Sequence, residues 1–275
     1  MRKKSNGKAQ VEEIFRNVFV LTIERNKDRR EYMKEALRGI DFSFHYGLDL
    51  TKEYLEYPYV AYMPEEVFAE YDMDRDHCRI WTKGQFGAFA SEKKLIQDFA
   101  RQGKNENLVI LLDDLVLENS WRKTLVAAYK ELPPDWDALI LSTRLGKAKK
   151  RAFRFIIEWK RKWDPFFKNT KKLLVKKYSH HLDCCHSEIS GIFGIIYSPK
   201  GLQKLINEPD QLRKDQDDIL IGKLVGQSYL NVYLTYPLLG KEGAYDGSWT
   251  QKNEFEKPSQ PKNRDDVLAQ LPKPK

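Results

Sequence analysis

The sequence predicts an α/β fold: a single domain with a mostly parallel central sheet flanked by helices. Two observations carry this. Short apolar, β-branched runs alternate at least four times with segments of helical period, the signature of βα units. The 275 residues, 41% hydrophobic and 12% aromatic, can bury a core of the size of one large α/β domain. The same composition excludes a largely disordered chain. No run of about 18 apolar residues suggests a membrane span, and no apolar leader follows Met1-Arg-Lys-Lys-Ser. Three cysteines, an odd number, argue against a disulfide framework and for a reducing, cytoplasmic location.

The elements follow in order. Residues 1–13 are polar and read as a flexible tail before a body of 14–250. Val18-Phe-Val-Leu-Thr-Ile23 is a buried strand. Asn26 is placed to cap a helix in which Met33, Ala36, Leu37 and Ile40 share a face. Residues 42–48 read as a strand, and 50–80 as loop with short helices. Thr82-Lys-Gly-Gln85 has capping-box spacing and opens a long helix. Leu108-Val-Ile-Leu-Leu112 is the next strand. Asn119 precedes a helix stopped by Pro133-Pro134. Asp137-Ala-Leu-Ile-Leu-Ser142 and residues 189–198 read as strands, Pro199 opens a helix, residues 217–225 are helical, and 229–234 form a strand. Residues 251–275 read as a flexible tail.

The net charge of +8 is concentrated. Residues 147–178 hold thirteen Lys and Arg against Glu158 and Asp164, a local excess of +11 that leaves −3 for the rest. Ala152, Phe155, Ile156, Trp159 and Trp163 recur at helical spacing within this segment. It therefore reads as a basic amphipathic helical insertion. One reading is peripheral contact with an anionic membrane; the other is an apolar stripe packed on the body with solvated charges. No nucleic-acid motif accompanies it, and no nucleic-acid partner is expected.

Asp113-Asp114 directly follow a buried strand, where open sheets bind ligands. Two hard carboxylates there can hold a divalent cation; they can equally be turn or cap residues. Arg25, Lys27, Arg29 and Arg30 follow the first strand and suit phosphates or carboxylates, or form a solvated helix face. Asp215, Asp217 and Asp218 offer a general base, or favour a helix N-terminus. His180-His-Leu-Asp-Cys-Cys-His186 lacks zinc-knuckle spacing and reads as a loop entering a strand. No GxxxxGK[ST], GxGxxG or GxSxG motif is present.

The order of these motifs resembles glycosyltransferase family 25, the lipopolysaccharide-biosynthesis and collagen-galactosyltransferase type. The resemblance lies in Val20-Leu-Thr-Ile-Glu-Arg-Asn-Lys-Asp-Arg-Arg30, Tyr46-Gly-Leu-Asp49, Thr82-Lys-Gly-Gln-Phe-Gly-Ala-Phe-Ala-Ser91, Val109-Ile-Leu-Leu-Asp-Asp114, Trp136-Asp-Ala-Leu-Ile-Leu141, Gly191-Ile-Phe-Gly-Ile-Ile-Tyr-Ser-Pro-Lys-Gly201 and Asp217-Asp-Ile-Leu220, with Tyr236-Pro-Leu-Leu-Gly240 and Asp246-Gly-Ser248 near the end. Leu112 stands where the family's acidic motif begins with Glu, and Glu92 where it has His after Ser.

The resemblance implies a GT-A-like fold and an inverting hexosyltransferase. A galactose or similar hexose would pass from a nucleotide sugar, a UDP-sugar, to a glycan or lipid-linked glycan in lipopolysaccharide or other surface-glycan synthesis. It implies Mn²⁺ or Mg²⁺ held by Asp114 with Asp113, a donor pocket framed by Leu21, Arg25, Arg29, Ser91 and Asp113, and Asp217, backed by Asp218, as base. The expected location is cytoplasmic, peripheral on the inner membrane face. The rival reading is a catalytically degenerate GT-A-like module that binds membrane or polyanion.

Overall fold

The computed structural model describes residues 7–50, 60, 63–78, 82–144, 175–186, 191–209, 221, 223–225 and 227–243. The first elements are α1 (Gly7–Ile14), β1 (Asn17–Thr22), α2 (Lys27–Ala36), β2 (Ser43–Tyr46), α3 (Glu65–Glu70), α4 (Arg75–Cys78) and α5 (Lys83–Arg101). Then come β3 (Leu108–Leu112), β4 (Leu115–Leu117), α6 (Trp121–Lys130), β5 (Ala138–Thr143), β6 (Val175–Lys177), β7 (Leu182–Cys185), β8 (Ile192–Tyr197), α7 (Pro199–Ile206), β9 (Val232–Thr235) and β10 (Gly240–Glu242).

Eight strands form one sheet in the order β2-β1-β3-β8-β5-β9-β7-β6. Six point the same way, and only β8 and β7 run against them. The expected α/β architecture with a largely co-directional sheet is what forms. Strands β5 and β8 are buried at every residue, which is why they read as continuous apolar runs rather than as alternations. Helices cover both faces. Leu95, Ile96 and Phe99 of α5 and Leu202 and Leu205 of α7 pack on one face. Met33 of α2, and Trp121 and Leu125 of α6, pack on the other.

Local signals explain the helix starts. Thr82 Oγ1 accepts from the Gln85 amide at 3.3 Å, and Gln85 Oε1 accepts from the Thr82 amide at 3.0 Å, closing the expected capping box. Ser198 caps α7 by accepting from Gly201 N at 3.0 Å, with Pro199 as the first helical residue.

The structure corrects several expectations. The polar N-terminal stretch is helical from Gly7, and Val11 and Ile14 are buried against the body, with Phe15 stacked on Trp121 at 5.6 Å. A few apolar residues at helical spacing suffice to dock it. Ser120, not Asn119, precedes α6, and Asn26 makes no capping bond to α2. The basic segment ends as a strand: Val175–Lys177 is the sheet-edge strand β6, with Lys176 and Lys177 exposed, a charge pattern that blunts an open edge. Residues 147–174 of that segment lie outside the described residues. Cys184 and Cys185 sit on β7, so their side chains point to opposite faces and cannot converge on one ion. Strands β4, β6, β7 and β10, each of three or four residues, were not legible as strands. No helix among the described residues is long and apolar enough to cross a membrane.

Glu131, at the end of α6, ties the helix to the turn before β7. Its carboxylate accepts from the His181 amide at 2.8 Å and from the Ser179 hydroxyl, and meets His181 Nδ1 at 2.6 Å. Burial pushes this carboxyl up, but these hydrogen bonds outweigh it and hold it at about 2. A depressed acid stabilises the fold above its unfolded value and loses that contribution as pH falls toward 2. Glu131→Gln is therefore expected to lower the urea midpoint at pH 7, with the difference from wild type closing between pH 4 and pH 2.

Candidate active site

The site gathers where β1, β2 and β3 end. The Gly47 amide donates to Thr22 O at 2.7 Å and the Asp113 amide to Leu21 O at 3.1 Å, so the ladder continues past the strands into the turns. Asp113 is 5% exposed. It accepts from Thr22 Oγ1 at 2.6 Å, Asn26 Nδ2 at 2.8 Å and Arg29 Nη1 at 3.0 Å. Asn26 thus turns its Nδ2 onto Asp113, and its side chain makes no capping bond to α2. Leu21 is buried and contributes its carbonyl.

The other arginines of this turn have defined partners. Arg25 pairs with Asp49 at 3.3 Å, joining the β1 and β2 turns. Arg30 donates to Ile23 O and Glu24 O at 2.6 and 2.8 Å and lies over the Tyr46 ring. Ser91 is 3% exposed and points away from solvent. Its Oγ accepts from Leu48 N at 2.8 Å and donates to Gly87 O. A Cβ on Gly47 would lie 2.7 Å from Ser91 Oγ, and one on Gly87 would lie 2.5 Å from Leu48 O. Both glycines are thus required by the close approach of α5 to the β2 turn. Ser91 positions that turn.

Asp114 differs from its neighbour. Its Oδ1 is buried and, among the described residues, has no hydrogen-bond partner. Burial first, then the Asp113 and Glu242 carboxylates, push its carboxyl up to about 6 against the pull of Arg29 and Arg144. Its carbonyl accepts from Gly243 N at 2.7 Å, and β10 pairs antiparallel with β4 so that Glu242 stands opposite Leu115. Arg144 follows β5 on the same sheet edge. Its guanidinium forks onto Glu242, with Nε 2.7 Å from Oε2 and Nη2 on Oε1.

The sequence reading thus placed Leu21, Arg25, Arg29, Ser91, Asp113 and Asp114 around one sheet edge, where the structure brings them together. It missed Arg144 and Glu242. They lie 98 positions apart and meet only because β5 and β10 converge there. No local motif marks either residue. Asp217 and Asp218 lie outside the described residues. Among the described residues, no three His, Cys, Asp or Glu side chains group to hold a metal. The edge offers one unpartnered carboxylate oxygen and two guanidinium groups within its electrostatic reach, a mixed site suited to a cation and a phosphate together.

The sequence profile of glycosyltransferase family 25, described as an LPS biosynthesis protein, matches residues 15–220. No curated protein matches the chain significantly. Among solved structures, apo UDP-glucose pyrophosphorylase is similar with a TM-score of 0.36 at 9% identity, over 86% of this chain and 78% of that one. Mouse xyloside xylosyltransferase 1, also apo, gives 0.32 at 11% identity, over 82% and 78%. The profile spans β1 to β8, including the Asp113–Asp114 edge and Arg144. The chain belongs to glycosyltransferase family 25.

Proposed function

We propose that the protein moves a hexose, galactose or a close relative, from a UDP-sugar to a hydroxyl of a glycan or lipid-linked glycan, with inversion, in a GT-A-like site. The role would be in lipopolysaccharide or another surface glycan, at the cytoplasmic face of a membrane that residues 147–178 would contact. The observation that carries this reading, beside the family, is the buried Asp114 Oδ1 with no partner. A carboxylate oxygen left so is costly until a proton or cation meets it.

That orphaned oxygen fits Mn²⁺ or Mg²⁺, which take hard oxygen ligands. Asp113 fits a bracing role better than a ligand role, because Thr22, Asn26 and Arg29 already occupy its carboxylate. When bound, the ion supplies Lewis-acid neutralisation of a diphosphate leaving group. The chain's own residues do the rest. Arg29, fixed by Asp113, and Arg144 bring two guanidiniums beside Asp114, each already facing a carboxylate. Arg25, held by Asp49, frames the donor pocket between the β1 and β2 turns. Asp217 takes the proton of the acceptor hydroxyl, with Asp218 adjacent in the chain as its reserve. Attack from the face opposite the diphosphate inverts the anomeric carbon.

Leu112, in place of the family's first acid, favours a second reading: a silent GT-A-like module that binds membrane or polyanion. A panel of UDP-sugars with Mn²⁺ separates the two. We expect a thermal shift and UDP release with one donor, the release suppressed by EDTA; neither with any donor would leave the silent module.

Asp114→Asn is expected to lower kcat/KM at least about 100-fold, roughly 2.7 kcal/mol of transition-state stabilisation. The same change should stabilise the metal-free protein. A carboxyl raised to about 6 in the folded state destabilises it above that pH, and this contribution disappears as pH falls toward the unfolded value. Calorimetry without metal should show a melting temperature a few degrees above wild type at pH 7.5, on the order of 1–3 kcal/mol, with the gap closing by pH 4.

A further inference from the structure

We infer that Glu242 is an intramolecular stand-in for the donor's diphosphate: it occupies the Arg144 guanidinium in the ligand-free protein and yields it to the nucleotide. The inference rests on the glycosyltransferase reading and deepens it by naming the phosphate-binding cation and its resident competitor. No local motif marks either residue, and Glu242 lies beyond the family match.

Charge accounting at the edge points to Arg144. Three carboxylates, Asp113, Asp114 and Glu242, face two guanidiniums, Arg29 and Arg144. Arg29 is committed: its side chain is 13% exposed and bonded to a buried carboxylate that also braces Thr22 and Asn26. Releasing it would unmake the β1 turn. The Arg144–Glu242 pair is different. The Arg144 side chain is 51% exposed, so an incoming anion reaches it from solvent. The Glu242 side chain is 23% exposed, and an ion pair in such partial contact with water biases an equilibrium by about fivefold. A diphosphate offers the same fork-compatible oxygens with more charge.

Arg144 is also built to stay in place while its anion changes. Its amide donates to Gly191 O at 3.1 Å. Its aliphatic stem passes over Gly191, where an added Cβ would lie 3.1 Å from Cγ and Cδ, and Gly191 holds a φ of +62° that side chains rarely adopt. Its guanidinium lies 5.4 Å from the centre of the Phe193 ring. The stem is thus held independently of Glu242. The pair sits beside Asp114, because Gly243, next to Glu242, donates its amide to the Asp114 carbonyl. An anion that replaced Glu242 would lie next to the carboxylate best suited to a cation.

The test is UDP binding by titration calorimetry on the full chain, with EDTA and separately with Mn²⁺. In EDTA, Glu242→Gln is expected to tighten UDP binding by about two- to fivefold, because the competitor loses its charge and keeps its shape. Glu242→Asp, which keeps the charge, should bind UDP within twofold of wild type. Arg144→Ala should weaken binding at least tenfold, and Glu242→Gln should tighten binding less in the Arg144→Ala background than in wild type, because the gain that runs through Arg144 is lost there. Unchanged or weaker binding by Glu242→Gln in EDTA overturns the inference while the donor reading stands. Weakening confined to Mn²⁺ also overturns it and makes Glu242 a cation ligand. Failure of wild type and all variants to bind UDP under both conditions overturns the donor reading, and the inference with it. Thermal midpoints of each variant without UDP separate loss of binding from loss of fold.

Discussion

The carboxylate of Asp113 is the constraint on which the sheet edge depends. It draws Thr22, Asn26 and Arg29 from two different elements onto the end of β3. A buried carboxylate is tolerable only when its oxygens are satisfied, and removing one partner from such a group costs several kcal/mol. The β1 turn and the first turn of α2 are therefore locked to β3, not merely adjacent to it. The Arg25–Asp49 pair and the Ser91 hydroxyl extend the same lock to the β2 turn and to α5. The family's scattered motifs converge because they form one hydrogen-bonded frame.

Within that frame the two adjacent aspartates divide their work. Asp113 is saturated and rigid, whereas Asp114 keeps an oxygen without a partner. A fully satisfied Asp114 would have nothing to offer a ligand, and an unsatisfied Asp113 would leave the frame loose. Neighbouring residues on a turn project in different directions, so one meets the frame and the other faces the junction of β4, β5 and β10. There Arg144 and Glu242 pair beside Asp114. The formal charge of +8 has little bearing on this chemistry. The basic excess lies in one segment, and the site depends on the signs and partners of five side chains.

Legibility followed length and locality. The strands of five or six apolar residues, β1, β3, β5 and β8, were readable because burial on both faces leaves an unbroken apolar run. The Thr82 capping box and the Ser198-Pro199 start were readable because their bonds close within a few residues. Three- and four-residue strands carry too little pattern to rise above loop, so β4, β6, β7 and β10 were missed, and the polar look of the first thirteen residues concealed α1. Residue type alone did not disclose the partners of Asn26 and Ser91. Asn26 looks like a helix cap, yet it makes no capping bond and its Nδ2 goes to Asp113, while Ser91 Oγ accepts from the Leu48 amide.

The amino-acid sequence by itself determined the α/β class, the central strands, the family and the candidate edge, since all of these rest on local periodicity and short motifs. Tertiary structure alone decided which carboxylate is spent and which is available, and it alone brought Arg144 to Glu242. Both outcomes depend on contacts between positions 84 to 98 residues apart, and no short window of sequence encodes how such distant side chains share hydrogen bonds once the sheet has closed around them.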